Sequence, residues 1–127
     1  MTVTYTDRPY DITFEHRPAY LYVSIKATEI SYEIAKRYWT EIMTLHNARQ
    51  YSRVLIDREI KQRLGTQDTF RVVTEIAFMV RPGMKFAFVD RNVAAEESEF
   101  EEMVGSNRGL NLKYFHTLPS AEQWLAN

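Results

Sequence analysis

The chain reads as one α/β domain, a mixed sheet of about five strands covered by about four helices. Three observations predict this. Short β-branched runs alternate with longer segments of helical periodicity from residue 20 onward, the pattern of parallel strands joined by helical crossovers. Two extended runs, YDITFEH and YLYVSIKA, are separated only by a short stretch holding Arg17 and Pro18, which predicts an antiparallel hairpin. Finally, 127 residues with 45% apolar and 26% charged side chains suit a single core without staples.

Residues 1–9 show no clear period and read as an irregular N-terminal arm. In YLYVSIKA, Leu21, Val23 and Ile25 alternate with Tyr22, Ser24 and Lys26, the period of a half-buried strand. The next segment, ATEISYEIAKRYWTEIMTLHNARQ, places Ile34, Tyr38, Ile42 and Leu45 at helical spacing, with Thr28 or Ser31 as its N-cap. RVLIDREI has the continuous apolar residues of an interior strand. A polar turn follows, and residues 69–80 read as a helix that stops at Arg81, Pro82 and Gly83. KFAFV, residues 85–89, is a second buried strand, and AAEESEFEEMVGSN is a short acidic helix ended by the Gly105 region. LKYFHT reads as the last strand. SAEQWLA closes the sequence as a helix, with Ser120 and Gln123 in capping-box spacing.

Composition narrows the function classes. The chain has no cysteine, which removes disulfides, thiolate metal sites and cysteine nucleophiles and fits a reducing compartment. The N-terminal stretch lacks the charged-then-apolar pattern of a secretory signal, and no apolar run approaches the ~20 residues of a membrane span. A cytoplasmic protein is expected, with membrane association at most peripheral. A formal net charge of -1 gives no general attraction to nucleic acid. His16, His46 and His116 are far apart and outside any metal-ligand spacing. Asp57 and Glu59 project to one side of their strand, yet no nucleophile, metal ligand or phosphate loop accompanies them. The GSNRG segment at 105–109 follows a helix and precedes a strand, the reverse of a phosphate loop. No enzyme, cofactor or metal is expected.

The strand ending in Leu55, Ile56 and Asp57, followed by the turn RLGTQDTF at 63–70 that opens a helix, resembles the STAS domain. The likeness is to the small SpoIIAA-like proteins of the anti-sigma-factor antagonist type, and it covers the chain from about residue 10 to the end. The resemblance implies a regulatory or binding domain whose turn carries an Asp-Ser-Ser-Gly-Leu element. There, a serine at the helix N-terminus is the phosphorylation switch, because free N–H groups and a partial positive charge favour a phosphate. Asp57 matches the first acid, but this turn has no Ser-Ser-Gly. One alignment places Thr66 and Gln67 at the serines, the other Gln67 and Asp68. The switch candidates are therefore Thr66, Asp68 and Thr69, and the preferred reading is that Asp68 supplies permanent negative charge. Capping of the helix by Thr66, Asp68 or Thr69, worth ~1 kcal/mol, is the plainer expectation. STAS-like sheets also look like the CRAL-TRIO lipid carriers in overall organisation.

Two surfaces stand out as ligand or partner sites. The helix from 70 to 80 is apolar over about half its circumference, and Phe70, Phe78 and Met79, bordered by Arg81, exceed a one-sided core stripe. The acidic helix offers only Phe100, Met103 and Val104 for burial, so it reads by preference as a solvated surface helix and otherwise as a lid over a groove between residues 70–80 and 94–105. On the first helix Tyr32, Trp39 and Met43 form a flank that reads equally as ordinary edge packing or as a surface for a partner or a second copy. Two function classes follow. One is a domain that docks a protein partner or small ligand near the 63–70 turn. The other is an apolar-ligand, lipid-like carrier or peripheral membrane protein using that groove.

Overall fold

The computed structural model describes residues 2–49, 51–81, 83–90 and 95–127, with side chains described except at 46–49 and 95–98. The expected breaker Pro82, the helix start at Ala94 and the side chains of His46, Glu96 and Glu97 lie outside what is described. Among the described residues, one six-stranded sheet runs in chain order. Strands β1 (Thr2–Tyr5), β2 (Asp11–His16) and β3 (Leu21–Ala27) form an antiparallel meander. Strands β4 (Arg53–Ile60), β5 (Lys85–Asp90) and β6 (Asn111–Phe115) continue parallel to β3. Helices α1 (Tyr32–Arg49), α2 (Thr66–Met79) and α3 (Ala95–Asn107) join the parallel strands, and α4 (Leu118–Ala126) ends the chain.

Alternation along the strands feeds two cores. Val54, Ile56, Phe86 and Phe88 pack with Ile42 of α1 and Val72 and Ile76 of α2. Leu55, Ala87 and Val89 point the other way, onto Ala121 and Leu125 of α4. Such continuous apolar runs are what strands covered on both faces require, and each fully buried Ile or Leu contributes about 1.5–3 kcal/mol.

The structure corrects the sequence reading at several points. Residues 2–5 are an edge strand, which makes six strands where five were expected. Cross-strand pairing explains why so short a segment orders: Thr4 lies opposite Thr13 with their hydroxyls 3.0 Å apart, and Tyr5 meets Phe14 edge to face. Helix α2 begins at Thr66, three residues before the expected start, and its N-cap is Gly65 with no side-chain cap. Thr66, Asp68 and Thr69 sit inside the first turns, and none of them is the N-cap. The buried Thr69 hydroxyl instead turns back to the Leu64 carbonyl at 3.4 Å. The last helix is capped by Thr117, which accepts from the Ser120 amide at 3.3 Å, so it starts before the predicted Ser120. For α1, Ser31 is the cap, accepting from the Ile34 amide at 3.1 Å.

The flank assigned to α1 is no free surface, because Tyr32, Trp39 and Met43 are all buried. Tyr32 donates to Glu75 of α2 at 2.6 Å, and the Arg71 guanidinium lies 3.7 Å from its ring centroid. Trp39 meets Phe86 and Phe88 at 5.9 and 5.8 Å. The reason is geometric: α2 packs beside α1, so the helix face beyond the sheet-facing stripe is covered as well.

Candidate functional site

Position 58 is where the strand pattern breaks. Val54, Ile56 and Ile60 place their apolar side chains under the helices, and the same alternation turns Arg58 inward with them. The guanidinium, 11% exposed, reaches three partners. Its Nε donates to Asp90 of the neighbouring strand at 3.1 Å, and one Nη donates to the Tyr114 hydroxyl at 2.8 Å and to Glu101 of α3 at 3.3 Å. Arg58 and Asp90 are register partners at the C-terminal ends of β4 and β5, the sheet edge where parallel α/β folds keep their sites. Burial weighs against the charge of Arg58, but Glu101, Tyr38 and Asp90 outweigh it, so the guanidinium holds its proton more tightly than a free arginine. Burial also raises the Tyr38 phenol, against the opposing pull of Arg58.

Above this cluster a cavity of about 490 Å³ opens between the sheet and α1, α2 and α3, within the size range of small-molecule sites. Helix α2 contributes Thr69, Val72, Val73 and Ile76, α1 contributes Trp39, and α3 contributes Phe100. Short β-branched side chains on α2 face the aromatic floor of Phe86, Phe88 and Tyr114, and they are too short to fill the space between the layers. Phe88 and Tyr114 stack at 4.8 Å, and Arg58 lies 5.2 Å from the Phe88 centroid. Gly65 and Thr66 lie at the rim, so the polar turn singled out in the sequence opens onto the cavity.

Of the residues expected to form a site, Thr66, Thr69, Trp39 and Phe100 meet at this cavity, and the others do not. Phe70 is half-exposed under the Arg108 guanidinium, whose centre is 4.2 Å from the ring. Phe78 is 88% exposed, Met103 54% exposed, and Met79 packs against the core edge. Arg81 donates to the Tyr51 carbonyl at 3.3 Å. Asp68 lies in the first turn of α2, where its charge favours the helix dipole. Asp57 and Glu59 share a face as expected, but it is the α4 side: Tyr22 donates to Asp57 at 2.8 Å, and Glu59 is exposed. Among the described residues no three His, Asp or Glu side chains converge as a metal site would, and no helix is long and apolar enough to cross a membrane.

Sequence reasoning missed Arg58, Asp90 and Tyr114. The signal was present for the first of them, since a charge at the inward position of an otherwise apolar strand needs a buried partner.

No protein-family model matches the chain, and no curated protein matches it in sequence. A solved structure from Shewanella loihica PV-4 does match. It is an uncharacterised protein of the DUF3478 family with a SpoIIAA-like fold, 13% identical, with a TM-score of 0.60 over 95% of this chain and 98% of that one. The chain has a SpoIIAA-like fold. In this SpoIIAA-like sheet the antiparallel start and the parallel strands after it bring β4, β5 and β6 side by side. That order gathers Arg58, Asp90 and Tyr114 under α3, residues separated by 32 and 56 positions from the arginine. At this identity the likeness carries the fold and nothing about ligand or partner.

Proposed function

We propose that this protein is a non-enzymatic binding module of the cytoplasm that takes up a small, largely apolar ligand between the sheet and the helices α1, α2 and α3. The observation that supports this reading is the cavity itself: about 490 Å³, walled largely by aliphatic and aromatic side chains, with polar groups contributed by Arg58, Asp90 and Glu101 and by the turn that opens α2. Such a site offers a ligand apolar burial for affinity and a few fixed hydrogen-bonding groups for orientation. Phospho-switching has less in its favour. Thr69 is buried in the first turns of α2, and Asp68 already places negative charge there, so a permanently charged turn fits better than a threonine switch.

A second reading is contact with a protein partner or a membrane surface through Phe70, Phe78 and Met103, which are exposed large apolar side chains of α2 and α3. It does not exclude the first, because these residues stand on the outer sides of the two helices that wall the cavity.

The test is uptake of an uncharged apolar dye such as N-phenyl-1-naphthylamine. Wild type should enhance its fluorescence saturably. Val73→Phe, which puts a ring into the cavity from a wall position, should weaken uptake at least about tenfold, the cost of ~1.4 kcal/mol, while far-UV circular dichroism stays unchanged. A folded variant that binds the dye as wild type does would rule the cavity out.

A further inference from the structure

Resting on that reading, we infer the route by which the ligand enters: between the β3–α1 loop, residues 28–31, and the β4–α2 loop, residues 61–65, with the Gln62 side chain as a strap across the opening. Exposure locates the mouth. Of the described residues that line the cavity, the exposed ones are Gln62, Arg63, Gly65 and Thr66, all at or just before the start of α2. Gly65 keeps this side open, because a Cβ there would meet nothing within 4 Å. Ile30 and Leu64, partly buried and also lining the cavity, give the two loops apolar lips.

A hydrogen bond spans the opening. The loops leave the adjacent parallel strands β3 and β4, whose pairing ends with Ala27 opposite Ile60 and is extended by the Lys61 amide donating to the Ala27 carbonyl at 3.1 Å. Beyond that point the Ile30 amide donates to Gln62 Oε1 at 3.1 Å, in an exposed setting. Water can replace such a bond, so rotation of the Gln62 side chain releases the strap at small cost. The other route, between α2 and α3, is held more firmly. Moving α3 aside would take Phe100 off the cavity and the Arg108 guanidinium off the Phe70 ring, 4.2 Å away. It would also break the bond that the Tyr114 amide donates to Glu102 at 2.7 Å, and the apolar surface uncovered opposes the motion in proportion to its area. The strap is closed with or without ligand, so it acts on the rates of entry and exit and not on affinity.

Stopped-flow fluorescence with N-phenyl-1-naphthylamine tests the route. The chain has no cysteine, and Gly65 has an ordinary extended backbone, so Gly65→Cys places a single thiol at the mouth. Its mixed disulfide with glutathione should slow dye association and dissociation at least about fivefold, and reduction of the same sample should restore both rates. Gln62→Ala should raise the two rates together by about fivefold, the effect of one hydrogen bond on a barrier, with Kd unchanged. Gln62→Glu, which keeps the acceptor, should bind no faster than wild type. If the adduct or Gln62→Ala leaves both rates unaltered in a protein that still binds the dye, the inferred route is wrong while ligand uptake stands. If wild type takes up no dye, the binding reading itself falls, and the inference with it.

Discussion

Arg58 illustrates what a single charge costs and fixes in this fold. Its guanidinium is tolerated under the helices because Asp90, Glu101 and Tyr114 receive its N–H groups. Removing it leaves two carboxylates facing a low-dielectric space, so Arg58→Ala should destabilise the protein by about 3–5 kcal/mol, read as a lower urea midpoint with unchanged slope. On the opposite sheet face Tyr22 donates to Asp57, and burial together with that bond pushes its phenol from 10.0 up to about 12. A phenol raised on folding stabilises fully below pH 10, and its contribution is lost as pH climbs through about 12. Tyr22→Phe should therefore cost about 1 kcal/mol at neutral pH, with the gap from wild type closing across the alkaline range in pH-stepped urea melts. Neither partnership was legible in the sequence. Position 57 was noticed as an acid at a strand end, but its partner lies 35 residues away. Only the sheet register, Ser24 opposite Asp57 and Tyr22 opposite Leu55, brings Tyr22 within reach.

At the scale of elements, period was easier to read than boundary. The alternation of Leu21, Val23 and Ile25 and the spacing of Ile34, Tyr38 and Ile42 gave β3 and α1 their type, and all but Ile34 of these are buried. Starts and stops depend on a few local hydrogen bonds that compete closely. Thr117 outcompeted Ser120 as the α4 cap, and in α2 no side chain caps at all. That gap can be filled. Gly65 has φ -63 and ψ 161, an ordinary extended conformation, and a Cβ added there would meet nothing within 4 Å. Gly65→Asp should accordingly raise stability by about 1 kcal/mol, through a cap and a less flexible unfolded chain, seen as an increase of several degrees in Tm. Of the two readings of the α1 flank, edge packing is the one the burial of Tyr32 and Trp39 supports: helical periodicity shows which residues want burial, but not that α2 would cover them.

For the whole molecule, strand and helix alternation was enough to anticipate a mixed sheet with parallel crossovers, and the groove expected between the second and third helices coincides with one wall of the cavity. The four-residue strand β1 escaped because TVTY carries too little period to distinguish it from an arm; its order comes from pairing with β2. The polar end of the cavity escaped because it is assembled from β4, β5, α3 and β6, whose adjacency follows from topology and not from any local motif. The central claim is that a small apolar ligand occupies this cavity and not the outer helix surface. Methyl-resolved NMR during titration with 1-decanol tests it most directly. Shifts should be confined to methyls that line the cavity, Val72, Val73, Ile76 and Leu112 among them, while Leu55 and Leu125 on the α4 side stay still. Shifts centred on Met103 at the outer surface, or no shifts at saturating decanol, would contradict the account.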